Sequence, residues 1–310
     1  MQLDNGNGFI GILSAELQSN ILEEMPLPDL ITFAKTRRQN QDGIAYYMAM
    51  RRTKLFMRFV DDTNALIELL DRTGTVISGS SALSLVQPKR RAIVVRDLDV
   101  YTTEKFEDEV LKHFVEKERY EKKLEVPRKT EYESTAITKI YKLQNGQKQV
   151  DVIVSDWSCT LAPILEFHST AVMNYITARS IVCLYPRWTA ANKSMINPRL
   201  YLQNKTHMRT VYVLMKYRKR GFDLSADALY FGDHLCEGEK NTGGKDGYCP
   251  HVIRSTVDDE VISWNFGPTK MLGNTTITCQ DMPIMVWCLG GQECVEGDKE
   301  ITLSFALVSA

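Results

Sequence analysis

Three aspartates and one Gly-Ser turn are the residues whose types and spacing could do chemistry. Asp97 and Asp99 stand two apart in Arg96-Asp97-Leu98-Asp99-Val100-Tyr101. Residues two apart on a strand share a face, so the pair would present two carboxylates side by side with Leu98 buried behind them. Like charges this close are unfavourable unless a cation sits between them. Mg²⁺, or Mn²⁺ in its place, suits oxygen ligands of this kind. Asp151 opens a second apolar strand, Val150-Asp151-Val152-Ile153-Val154. A third carboxylate on a neighbouring strand would complete a metal clamp able to align an attacking hydroxyl with a nucleotide α-phosphate. Upstream, Ile77-Ser78 runs into Gly79-Ser80-Ser81. Glycine there permits a tight turn, and the amides and hydroxyls after it make a phosphate cradle at a helix N-terminus.

Other groups carry weaker signals. Lys89-Arg90-Arg91 precedes the metal strand, either as a contact for triphosphate or an acceptor nucleic acid, or as a solvated loop. Lys216, Arg218, Lys219 and Arg220 end a helix, where the macrodipole favours cations. His234-x-Cys236 and Cys249-x-His251 flank a Gly-rich stretch. They read either as a tetrahedral structural Zn²⁺ set or as ordinary buried thiols and imidazoles. His168 continues an apolar helical face and reads as a core histidine.

The elements that would position these residues follow from periodicity. Ile12, Leu13, Leu17, Ile21, Leu22 and Met25 have helical spacing, and after Pro26 and Pro28 the side chain of Asp29 can cap a second helix. Tyr46 to Leu70 reads as one helix with Arg51, Arg52, Lys54 and Arg58 on its solvated face, ended by Gly74. Thr75 to Ser78 is a short strand, Ser80 to Leu85 a helix, and Ala92 to Tyr101 a strand. Glu104 to Glu125 reads as a charged helix. Thr135 to Leu143 and Gln149 to Val154 read as a hairpin turning at Asn145-Gly146. Leu161 to Ile176 is expected to be helical, as is Pro198 to Gly221. Beyond Gly232 several short strands follow, the clearest at Ile262 to Trp264, Met285 to Trp287 and Ile301 to Val308.

The expected fold class is α/β (α+β): a mixed sheet flanked by helices, with an N-terminal helical segment and a β-rich C-terminal region. Four segments follow, 1–45, 46–160, a helical 161–231 and the β-rich 232–310. The 310 residues are 44% hydrophobic and 25% charged, enough to bury a core. A net charge of −1 gives no overall field toward nucleic acid, so a nucleic-acid acceptor would need a local patch. No apolar run is long enough to span a bilayer, so no membrane is expected. Seven cysteines without a signal sequence read as reduced thiols, and the expected location is cytoplasmic or nuclear.

Taken in order, Ile77-Gly79-Ser80, Asp97-Leu98-Asp99-Val100 and Val150-Asp151-Val152 resemble the signature of the DNA polymerase beta-like nucleotidyltransferase superfamily. The resemblance implies a nucleoside triphosphate as substrate and a hydroxyl acceptor. It implies that Asp97 and Asp99 bind both metals, that Asp151 binds the catalytic metal and helps activate the acceptor, and that Gly79 and Ser80, with Ser81, hold the β- and γ-phosphates. A lysine from a following helix often reaches the triphosphate in such proteins, which makes Lys216 a candidate. The stretch Ile12 to about Arg38 resembles an F-box without the usual tryptophan near its end, the other reading being a plain helical cap on the core, and the order of elements looks like fungal proteins that join such a start to a nucleotidyltransferase-like domain. That likeness implies docking to a Skp1-type adaptor of a ubiquitin ligase, with the second domain as a non-catalytic recognition module. Arg96, directly before the first aspartate, and the long stretch between Gly79 and Asp97 depart from the superfamily pattern and motivate that alternative.

Overall fold

Ser14 opens the first helix as its cap, its hydroxyl accepting the Leu17 amide at 3.3 Å. The computed structural model describes residues 13–127, 136–202, 208–231, 248–266, 283–291 and 304–309. Helix α1 is Ala15–Glu24 and α2 is Leu27–Ala34. The second helix begins at Leu27, not after Asp29. Asp29 therefore lies in its first turn, where a carboxylate favours the amide end without capping it.

The expected single helix from Tyr46 to Leu70 is two, α3 Arg38–Phe56 and α4 Thr63–Thr73. The break is local chemistry: the Asp62 carboxylate accepts the amides of Asn64 and Ala65, each at 3.0 Å, and restarts the helix. Gly74, left-handed at φ 62°, closes α4 as expected. Arg51 and Arg52, read as solvated, are buried. Arg51 donates to the carbonyls of Ser84 (2.6 Å) and Gln87 (2.9 Å), and Arg52 donates to the Ala178 carbonyl (2.8 Å) and lies over the Phe266 ring.

Strand β1 is Val76–Ser78, α5 is Gly79–Val86 and β2 is Asp97–Thr103. The strand expected from Ala92 starts only at Asp97. Before it, side chains satisfy the backbone: Gln87 accepts the Ile93 amide and Arg58 donates to the Val95 carbonyl. The helix expected over Glu104 to Glu125 is short. A 3₁₀ turn at Glu104–Phe106 leads into α6, Glu107–Lys112, then a π-type turn at His113–Lys117 and strand β3, Glu121–Pro127. Tertiary bonds reverse the chain there. Buried Glu118 accepts the amides of Asp61 and Asp62, Arg119 takes φ 58°, and the Tyr120 hydroxyl donates to the Phe59 carbonyl.

The hairpin of β4, Ile137–Asn145, and β5, Lys148–Ser155, forms as expected, but Gly146 and Gln147 are its two turn residues. Only Gly146 has positive φ (57°), the requirement of a type II′ turn. The helix expected through Leu161 to Ile176 is one turn, α7 Ala162–Leu165, after which β6 Asn174–Ile176 and β7 Ser180–Cys183 pair as a hairpin. Next come α8 Pro186–Ala190, β8 Lys193–Met195, α9 Arg199–Leu202, α10 Met208–Lys219 and β9 Asp223–Ser225. The helix expected from Pro198 to Gly221 is thus α9 and α10, with residues 203–207 outside the described ones. Strands β10 Arg254–Ser255, β11 Ile262–Asn265, β12 Ile284–Cys288 and β13 Ser304–Ser309 are the last of the described elements.

Among the described residues, eight strands form one mixed sheet in the order β11-β7-β6-β1-β2-β5-β4-β3. Neighbours are antiparallel except β2 and β5, which are parallel. The sheet draws strands from three of the four sequence segments. The segment read as helical supplies β6 and β7, and the C-terminal segment supplies the edge strand β11. One face of the sheet carries Leu98, Val100, Val150 and Val152 into a core shared with Leu27 and Leu30 of α2, Met48 of α3 and Leu66 and Leu70 of α4. The other carries Tyr101, Ile153 and Ile140 into a second core with Trp188 and Trp287. Among the described residues no helix is long and apolar enough to cross a membrane. Cys159, Cys183 and Cys288 are buried free thiols, and Cys249 is buried as well.

Candidate metal and nucleotide site

The β2–β5 register decides where the carboxylates point. Asp99 pairs with Asp151, Asp97 with Gln149, and Ser78 of β1 lies opposite Asp99. Parallel neighbours in register stand about 4.8 Å apart with side chains on the same face, so Asp97, Asp99 and Asp151 share one patch of sheet. That face opens into a cavity of about 590 Å³, roofed by α9 and α10. Its lining brings together Gly79, Ser80, Asp97, Asp99, Asp151 and Lys216, residues far apart in sequence.

Gly79 turns from β1 into α5 with φ 63°. A Cβ placed there would lie 2.2 Å from Asp99 Oδ2, so only glycine lets the turn rest against the carboxylate. Ser80 follows, 5% exposed, and its hydroxyl has no hydrogen-bond partner among the described residues. A buried hydroxyl left unpaired at a cleft wall is a group awaiting a ligand or a water. Ser81 is fully buried and its hydroxyl donates to the Asp97 carbonyl at 3.4 Å, so it braces the strand and is not open to a phosphate.

Electrostatics mark the same residues. Asp99 is held well above the usual carboxylate range, first by burial, then by Asp97 and Asp151, with Lys216 and Lys142 pulling the other way. Asp151 is pushed up to about 6 by burial, with Lys142 lowering it and Asp97 raising it. Three carboxylates that repel one another in a partly dry cleft are chemically suited to a divalent cation. As they stand, no group of three or more His, Cys, Asp and Glu side chains among the described residues is arranged to hold a metal ion. Mg²⁺ characteristically takes one or two carboxylates and completes its shell with water and substrate phosphate. Asp97 and Asp99 could meet that requirement only with water and phosphate completing the shell. Arg96, the residue that could have competed for the carboxylates, is exposed and forms no ion pair among the described residues.

His168 lines the cleft against Tyr217, ring centroids 5.0 Å apart. Burial first, and Lys216 second, push it down to about 3, so it is neutral at physiological pH. Lys89, Arg90 and Arg91 are not at the cleft. They pair with Glu23 and Glu24 of α1, and Arg90 also donates to Asn20. Of the expected zinc set, His234 and Cys236 lie outside the described residues, while Cys249 and His251 are described without a metal-ligand group around them. The apolar residues of the F-box-like helices, Leu27, Leu30 and Ala34, turn into the core.

The structure adds cleft residues that sequence reasoning missed. Lys142 on β4 pairs in register with Asp151 and lines the cavity. Glu166 and Arg199 form a nearly buried ion pair in its wall, and Glu166 also accepts the Ala136 amide. Arg209 and Tyr212 of α10 complete the rim. Comparison of the chain with protein-family models, with curated proteins and with solved structures finds no match.

Proposed function

We propose that this protein is a metal-dependent nucleotidyltransferase that moves a nucleotide from a nucleoside triphosphate to a hydroxyl acceptor. The observation that carries this reading is the meeting of Asp97, Asp99, Asp151, the Gly79-Ser80 turn and Lys216 in one cleft. Each has a part. Gly79 lets the α5 amides approach the phosphates, the unpaired Ser80 hydroxyl donates to a phosphate oxygen, and Lys216 neutralises phosphate charge from the opposite wall. Asp97 and Asp99 would hold Mg²⁺ or Mn²⁺, and Asp151, one strand over, would face the acceptor. A bound divalent ion would supply charge neutralisation at the α-phosphate and a lower acceptor pKa. The acceptor oxygen bonds to the α-phosphorus, the bond from that phosphorus to the bridging oxygen breaks, and pyrophosphate leaves. In this reading Asp151 takes the acceptor proton.

Incubating the full chain with each labelled triphosphate and Mg²⁺ or Mn²⁺, beside Asp97→Asn/Asp99→Asn, tests the reading. Metal-dependent label transfer or nucleotide binding that the double variant loses is expected. No metal-dependent interaction with any triphosphate would reject it. Adaptor docking is the less supported reading, because Leu27, Leu30 and Ala34 are core residues and unavailable to a partner. Retention of the chain on a Skp1 column would revive it.

A further inference from the structure

We infer that the acceptor is a small hydroxyl compound bearing an anionic group, and that Lys142 selects it by holding that group beside Asp151. The inference rests on the nucleotidyl-transfer reading and names the acceptor class.

On the cleft face, β1, β2, β5 and β4 place Ser78, Asp99, Asp151 and Lys142 in one row across the sheet. The Gly79-Ser80 turn begins at one end of that row, and Lys142 closes the other. Lys216, opposite Asp99 and beside His168, serves the triphosphate end. Lys142 acts on Asp151, at the end where the acceptor hydroxyl must arrive. It forms no ion pair with a carboxylate among the described residues, although it stands in register with one. In contrast, the neighbouring wall cation Arg199 is matched by Glu166. A lysine left without a salt-bridge partner in a cleft is a ready point charge for a phosphate or carboxylate.

The next row along the same face is apolar: Tyr101, Ile153 and Ile140. It would carry the carbon body of an acceptor whose hydroxyl meets Asp151 and whose anion meets Lys142. The size of the cavity, about 590 Å³, is that of a small-molecule site. The basic run Lys89 to Arg91, which could have steered a nucleic acid, is engaged by α1. Both facts favour a small acceptor over a polynucleotide.

The test is calorimetric binding to the full chain with Mg²⁺ and a non-hydrolysable triphosphate analogue filling the nucleotide end. Glycerol 3-phosphate and glycerol are the paired probes. The native protein is expected to bind the phosphate ester roughly tenfold or more tighter than the neutral polyol, the range of a hydrogen bond to a charged group. Lys142→Gln is expected to bring the two probes level. Equal binding of both probes by native protein overturns the inference. So does a Lys142→Gln chain that keeps the preference, or one that loses analogue and probes alike, since Lys142 would then be a counter-ion of the aspartates. If the native chain binds no analogue, the nucleotidyl-transfer reading fails by itself. A Lys142-dependent phosphate preference measured without nucleotide would still hold the anion subsite, and its absence would end both.

Discussion

Gly79 shows how one residue type fixes the site. Its φ of 63° strains any side chain, and an added Cβ, 2.2 Å from Asp99 Oδ2, would force that carboxylate to shift. Gly79→Ala is expected to lower stability by about 1–2 kcal/mol through the left-handed backbone alone, measured by urea unfolding. Because Asp99 must also move, Mn²⁺ affinity should fall more than stability does. His168 gives a pH signature. Its folded value, about 3 against an ordinary 6.5, means that the unfolded chain takes up the proton first as pH falls. Stability is therefore complete above about 6.5 and is lost toward about 3, at up to ~1.4 kcal/mol per pH unit. Unfolding free energies across that window should show this slope, and His168→Gln should flatten it. At this scale the sequence is informative where chemistry and pattern coincide. Asp97, Asp99 and Asp151 are carboxylates inside apolar strands, and such placement needs a reason. Ser80 is legible too, whereas Ser81 beside it is not, since only packing distinguishes a bracing hydroxyl from an open one.

At the level of elements, α5 depends on α3. The buried Arg51 guanidinium holds the Ser84 and Gln87 carbonyls at the C-terminal end of the helix whose other end is the Gly79-Ser80 turn. Arg51→Ala would leave those carbonyls unpaired, and a loss of about 2–4 kcal/mol is expected in chemical denaturation. Triphosphate affinity should weaken as α5 loosens. Nothing in Tyr46 to Leu70 announces this, because the partners are carbonyls 33 and 36 residues away. The same limit explains the helix expected over Glu104 to Glu125. Its charge pattern is helical, but Glu118 and Tyr120 bond to the loop between α3 and α4 and turn the chain into β3. Lys142 is hidden by a single step of register. A turn at Asn145-Gly146 would set Ile140 opposite Asp151, whereas the turn at Gly146-Gln147 sets Lys142 there. In a hairpin, one residue of slip exchanges the faces or the partners of every side chain, so turn geometry decides what a strand contributes to a site.

Across the whole molecule, the N-terminal helices and the sheet share one core. Leu30 of α2 is fully buried in the cluster that contains Leu98 and Val152, the residues packed behind the aspartates. Leu30→Ala is expected to destabilise the chain by about 2–5 kcal/mol. Far-ultraviolet circular dichroism and tryptophan fluorescence should report one coincident transition; separate transitions would mark residues 1–45 as an independent unit. Segment boundaries read from composition could not reveal this, because β11 returns from the C-terminal region to pair with β7 at the sheet edge. The parallel β2–β5 pair inside that sheet is what brings the three carboxylates together. The central claim is therefore tested most directly by equilibrium titration of the full chain with Mn²⁺ and a nucleoside triphosphate, followed by electron paramagnetic resonance of the metal. Saturable Mn²⁺ binding that tightens with triphosphate, and that Asp97→Asn/Asp99→Asn abolishes while the chain stays folded, is the predicted result. Mn²⁺ binding unaffected by both the nucleotide and the two substitutions would contradict it.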